Sequence, residues 1–150
     1  MKIQRYTHEW EDRIISRVLE HQEESDGYTE LDQDPAWVRH ILKVSNPILF
    51  MATEGESLLG FIWLGLINHW FSPDIGAGDL IFTVDPAHRG GKAAKLLRQR
   101  AEEEAKALGC VYLNLSTAFL KERDDRTLKY YQRYGYRHRG SIVYKLLEEP

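Results

Sequence analysis

The chain has 150 residues, 43% hydrophobic and 29% charged, enough for one ordinary domain with its own core and too apolar for a disordered or fibrous one. Lys and Arg number 20 against 23 for Asp and Glu, a formal charge of -3 that disfavours nucleic acid as the main partner. The single cysteine, Cys110, excludes an internal disulfide and suits a reducing compartment, and no apolar run is long enough to span a bilayer.

Met1–Arg5 lacks the apolar stretch of a signal peptide, so a soluble, cytoplasmic, single domain over residues 1–150 is expected, with room for a short first strand over 2–6. From Trp10 to Leu19, Trp10, Ile14, Ile15, Val18 and Leu19 recur at helical spacing and predict an amphipathic helix. Residues 20–34 then hold Glu20, Glu23, Glu24, Asp26, Glu30, Asp32 and Asp34 with no Lys or Arg. Asp34-Pro35 reads as an N-cap and N1 pair opening a second helix with Trp37, Val38, Ile41 and Leu42 inside. After Asn46-Pro47, Ile48–Thr53 and Leu58–Ile67 predict a hairpin turned at Glu54-Gly55-Glu56. The run 72–78, with Pro73, Gly76 and Gly78, reads as a loop, and Asp79–Val84 as the next strand. A long helix is expected over Arg89–Leu108 with Ala93, Leu97, Ala101, Ala105 and Leu108 inward and Gly109 after its end. Val111–Ser116 predicts a buried strand, Asp124–Tyr134 a helix closed by Gly135, and Tyr136–Leu147 a final strand. The order α-α-β-β-β-α-β-α-β is that of a layered α/β domain with a mixed sheet flanked by helices.

The chemistry concentrates in Val84-Asp85-Pro86-Ala87-His88-Arg89-Gly90-Gly91-Lys92-Ala93-Ala94-Lys95. A strand ends there, adjacent glycines turn the chain, and a helix opens on small residues. Amides at a helix start have no intrahelical acceptor, and the macrodipole adds partial positive charge. Glycines let an anion come close to such amides, which suits phosphate. Arg89, Lys92, Lys95, Arg98 and Arg100 add cations, with no acid between 89 and 100. The plainer reading is a strand-turn-helix joint with a solvated basic face. The six histidines show no metal-ligand spacing, so no metal is expected, and Cys110 reads as a small buried apolar residue.

The segment resembles the Gcn5-related N-acetyltransferase family, whose motif runs V-x-P and then R/Q-x-x-G-x-G/A into a helix. Here it is Val84-Asp85-Pro86 followed by Arg89-Gly90-Gly91-Lys92-Ala93-Ala94, an R-G-G-x-A-A form similar to a subgroup often encoded by phages. Tyr130-Tyr131-Gln132-Arg133-Tyr134-Gly135-Tyr136 is similar to the family's F-Y-x-x-x-G-F element, and Leu59-Gly60-Phe61 to its V-G-F strand. The resemblance implies acetyl-CoA as co-substrate. Main-chain groups of Phe82, Thr83 and Val84 would hold the pantetheine arm. Amides of Arg89, Gly90, Gly91, Lys92, Ala93 and Ala94, with Lys95, would hold the pyrophosphate. It also implies that Tyr131 protonates the leaving thiolate, where the plainer role is packing beside Tyr130, Tyr134 and Tyr136.

The base stays open. Asp79 is the one carboxylate on its strand, where alternation puts it on the face of Ile81 and Thr83, and a turn cap serves it as well. Glu24, His69 and a water chain are its rivals. His69, Trp70 and Phe71 line an acceptor pocket or merely end a strand. Glu23 and Glu24 draw a cationic amine to the acceptor side, or form a solvated acidic loop. Lys92 replaces the motif's middle glycine, and so either pairs with the pyrophosphate or crowds it. Asp124 stands where the family often has asparagine. The expected activity is transfer of acetyl to a primary amine of a small molecule or a protein, with a homodimer allowed. The alternatives are a non-catalytic CoA-binding module and a nucleic-acid adaptor using the basic helix.

Overall fold

The computed structural model describes residues 1–24, 31–116, 124–140 and 145–147. Strands β1 (Lys2–Arg5), β2 (Ile48–Glu54), β3 (Ser57–His69), β4 (Ser72–Val84) and β5 (Leu113–Asn114) lie in that order in one sheet. Every neighbouring pair is antiparallel except β4 and β5, which run parallel. Helices α1 (Glu11–Glu24), α2 (Pro35–Val44), α3 (Lys92–Ala107) and α4 (Asp124–Arg133) flank it.

The central strands are buried on both faces, which explains their continuous apolar runs. In β2, Leu49 and Met51 join Phe61, Trp63 and Ile81 under Ile14 and Ile15 of α1 and Leu42 of α2. Phe50 and Ala52 turn the other way and join Ile62, Leu64 and Val84 under Ala93, Leu97 and Ala101 of α3. The small residues of α3 let its axis lie close to the sheet. At the start of α2, the Asp34 carboxylate accepts from the Ala36 amide at 2.9 Å with Pro35 at the first helical position, as the Asp-Pro pair predicts.

Several expectations are corrected. The run 72–78 is strand, not loop, because Gly76 and Gly78 pair with Ile67 and Gly65 of β3. Its glycines serve close approach: a Cβ on Gly76 would run into the Tyr112 ring. The third helix opens at Lys92 rather than Arg89. A 3-10 turn over Pro86–His88 comes first, and Gly90 then takes a φ of +84°, which L side chains rarely adopt. The first helix runs on to Glu24, and Leu108 lies exposed past the end of α3. Trp37 faces solvent with 62% of its surface exposed, beside His40, because Val38, Ile41 and Leu42 already cover the core-facing stripe of α2. The strand expected over 111–116 shortens to Leu113–Asn114. Residues 136–140 and 145–147 form no strand, and 141–144 of that expected element lie outside the described residues. No described helix is long and apolar enough to cross a membrane.

Two irregularities position the site. Between Trp63 and Leu64 of β3, strand β4 carries one extra residue: Ile81 pairs with Trp63 and Asp79 with Leu64. Trp63 and Leu64 belong to opposite core layers, so the bulge at Leu80 reverses the alternation. Asp79 therefore sits on the α3 side, not on the face of Ile81 and Thr83. The second is a splay. Parallel pairing of β4 with β5 stops at Gly78 and Asn114, and the next available amide, that of Ser116, donates to the Asp79 carboxylate oxygens at 3.0 and 3.2 Å. Past that point β4 continues toward Val84 paired with β3 only, its other edge open.

Candidate active site

The splay opens a cleft of about 660 Å³. Phe82, Thr83 and Val84 of β4 form one wall, and Ser116 lies where β5 leaves the sheet. The turn and the first residues of α3 close one end with Arg89, Gly90, Gly91, Lys92, Ala94 and Lys95. Tyr130 and Tyr131 of α4 and Tyr134 just past its end form the facing wall, and His21 of α1 reaches the same space. The expected cofactor residues thus meet in one place, except that Ala93 is buried beneath the turn instead of lining the cleft.

The turn is held from both sides. Asp85 accepts from the Ala87 amide at 3.2 Å and from Arg17 of α1 at 2.9 Å, which holds its carboxyl below the ordinary range. Arg89 Nε donates to the Val84 carbonyl at 3.0 Å, and its Nη2 pairs with Glu24 Oε2 at 2.8 Å. The Arg89 side chain therefore braces the turn. Gly91, the N-cap of α3, has no side chain to satisfy the first amides, and the first turn carries no acid. Lys92 and Lys95 add positive charge there, and Arg126 and Arg133 of α4 add more across the cleft. Backbone donors, helix dipole and side-chain cations converge on one volume, the physical requirement for a polyanion.

Tyr131 is 5% exposed, with its ring 5.6 Å from that of Tyr130 and 5.5 Å from that of Tyr136. Burial pushes its hydroxyl well above the ordinary phenol value, the negative charge of Asp79 adds to this, and Arg98 opposes it. Arg98 of α3, 3% exposed, is the residue that sequence reasoning assigned to the basic face and missed as a structural centre. Its guanidinium stacks 3.9 Å above the Tyr134 ring and donates to Glu102 at 2.7 Å, and Glu102 also accepts the Tyr136 hydroxyl at 2.7 Å. This network fastens α4 to α3. Its sequence signal was the i, i+4 spacing of Arg98 and Glu102. His21 was also missed, and its signal is the i, i+4, i+7 spacing of Arg17, His21 and Glu24.

The proposed base and acceptor residues lie apart from this cleft or in other bonds. Asp79 does not line it. Burial raises its carboxyl from 3.8 to about 6, while the Ser116 amide opposes that rise. Glu24 is paired with Arg89, and Glu23 is exposed at the end of α1. Asp26 and Glu30 of the acidic run lie outside the described residues. His69 Nε2 and the Tyr112 hydroxyl are 2.5 Å apart at the far end of the β3–β4 hairpin, and the neighbouring Trp70 is 96% exposed. Asp124 opens α4. Cys110 is half-buried. Of the five cations in 89–100, Arg89, Arg98 and Arg100 each form an ion pair. Among the described residues, no cluster of His, Cys, Asp and Glu is placed to hold a metal ion.

Comparison with known proteins adds the following. The Acetyltransferase (GNAT) family matches residues 6–136. No curated protein matches the chain. An aminoglycoside acetyltransferase from an uncultured soil metagenomic sample superposes with a TM-score of 0.74 at 17% identity, covering 98% of each chain. A ribosomal-protein-alanine N-acetyltransferase from Brucella melitensis biovar Abortus 2308 gives 0.73 at 16%, covering 97% of this chain and 100% of the other. A transcriptional regulator from Bacillus halodurans C-125 gives 0.72 at 23%, covering 96% and 99%. At such identities the likeness is one of fold.

Proposed function

The chain belongs to the Acetyltransferase (GNAT) family and is an N-acetyltransferase by class; on that premise we propose that it carries acetyl from acetyl-CoA to a primary amine of cationic character, in the cleft between β4, α3 and α4. The observation that carries this reading is one continuous volume with an anion-binding helix start at one end and a buried phenol on its wall. The thioester supplies the activated acetyl. The chain's residues supply the rest. Amides at the start of α3, with Lys92, Lys95, Arg126 and Arg133, hold phosphate oxygens. The β4 edge at Phe82–Val84, left without a strand partner by the splay, offers main-chain groups to the amides of the pantetheine arm. Tyr131 protonates the departing sulfur. Asp79, bonded to Ser116, keeps the splay open.

The acceptor reading rests on charge. Glu20, Glu23, Asp32 and Asp34 are exposed around the end of α1 and the start of α2, opposite in sign to the lysines at the turn. Such an arrangement steers a polyanion and a cationic amine to different sides. Aminoglycosides, the substrates named for one of the structural neighbours, have this character. Incubation with acetyl-CoA and a panel of polyamines, aminoglycosides, amino acids and peptides, followed by free thiol, tests both points. A strict preference for neutral or anionic acceptors overturns the charge argument, and calorimetry showing no CoA binding overturns the whole reading.

Lys92 is exposed at the first position of α3 and lines the cleft. The charge pairs with the pyrophosphate. Lys92→Ala is expected to weaken CoA binding about tenfold at low salt, the scale of one charge-assisted bond. Calorimetry reads the change, and tighter binding would mean that the lysine obstructs.

A further inference from the structure

Helix α1 turns one stripe toward the cofactor turn. Arg17 is tied to Asp85 at 2.9 Å and Glu24 to Arg89 at 2.8 Å, so the helix is clamped to the turn at two points seven residues apart. His21 lies between the clamps, 4% exposed, and lines the cleft that also holds Tyr131. A buried histidine lining a reaction cleft, on a helix held by two ion pairs, is placed for chemistry on the substrate.

We propose that His21 is the general base of the transfer, taking the proton from the acceptor nitrogen; this rests on the acetyl-transfer reading above. The step balances. The amine lone pair forms the C–N bond, the C–S bond breaks with its electron pair going to sulfur, the nitrogen's proton passes to a ring nitrogen of His21, and sulfur takes a proton from Tyr131. His21 then returns its proton to solvent, and Tyr131 regains one.

The surroundings favour the form of the ring that accepts a proton. Burial pulls its pKa below the ordinary 6.5, Arg89 on the turn acts the same way, and Glu24 on its own helix opposes both. Arg17 and Asp85 neutralise one another, Lys92 adds a further cation at the cleft end, and Tyr131 across it is uncharged. At pH 7 the ring is therefore neutral. Glu24 and Asp79 lack this arrangement, the first paired with Arg89 and the second with the Ser116 amide.

The test is His21→Gln, assayed with acetyl-CoA and the best acceptor of the panel. Expected are a kcat about 10²-fold lower, CoA affinity within twofold of the parent, and loss of the acid limb of the kcat/KM profile, which rises with pH through the ring's pKa below 6.5. That limb should persist in Asp79→Asn. A His21→Gln protein with parental kcat and an intact limb overturns the proposal while leaving acetyl transfer standing. A parent chain that binds no CoA overturns both. Should the variant misfold, or no acceptor of the panel turn over, the ring titration of His21 is followed by NMR in the parent chain with and without CoA. A ring pKa that moves when CoA fills the cleft supports the assignment, and one that does not overturns it.

Discussion

Replacing Tyr131 by Phe is expected to lower kcat by about 10²–10⁴-fold while acetyl-CoA affinity stays within about twofold. The substitution removes one oxygen and keeps the ring. Packing against Tyr130 and Tyr136 is retained, so stability is expected to change little. The size of the effect follows from what the cleft does to the hydroxyl. Burial and the nearby Asp79 charge make tyrosinate costly, so the proton stays on Tyr131 throughout the working pH range. That guarantees an acid in the resting site. The same rise makes Tyr131 a weaker acid than an ordinary phenol, so the proton moves only as the C–S bond breaks and negative charge builds on the sulfur beside it. Arg98, a cation acting against the rise, limits the cost of the transient tyrosinate. Steady-state kinetics at saturating acceptor, with thermal melting of both proteins, checks the result. Full turnover by Tyr131→Phe would return the residue to packing.

What could be read in advance divides by range. The glycine turn, the Asp34-Pro35 cap and the Ala93-Leu97-Ala101 stripe are local patterns, and each is found where its spacing puts it. The elements misread were those whose form depends on a distant neighbour. Gly76 and Gly78 look like loop residues until the Tyr112 ring arrives from just before β5 and β3 pairs beside them. Asp79 changes sides through a single inserted residue, Leu80, that no alternation rule anticipates. The glycine-turn end of the cleft was legible because one contiguous motif builds it. His21 and Arg98 were not, since their meaning depends on α1 meeting the turn and α3 meeting α4. A basic residue on a helix reads as solvated until the aromatic wall that buries it is in view. Charge counting failed at 89–100 because Glu24 reaches Arg89 only through folding, while Glu102 pairs with Arg98 one turn along the same helix.

Asp79 yields the remaining large effect, and here the sign is opposite to that of a typical carboxylate. Its pKa in the fold, about 6, lies above the ordinary 3.8, because burial disfavours the charge more than the Ser116 amide favours it. Between about pH 4 and 6 the folded chain therefore keeps a proton that the unfolded chain has released. Stability from this group is present below pH 4, falls as pH rises through that window, and levels off above it. A rise of this size corresponds to roughly 3 kcal/mol at neutral pH. Asp79→Asn removes the charge and keeps an oxygen to accept the Ser116 amide. The variant is thus expected to be more stable by about 2 kcal/mol at pH 7.5, after allowance for a weaker bond to that amide, and to lose the slope between pH 4 and 6. Urea unfolding across that range measures both. A variant less stable than the parent at pH 7.5, or one that keeps the slope, would show that the Ser116 bond outweighs burial. The carboxylate thus sits at the mouth of the splay at a cost in stability, where it takes the amide that strand pairing would otherwise use.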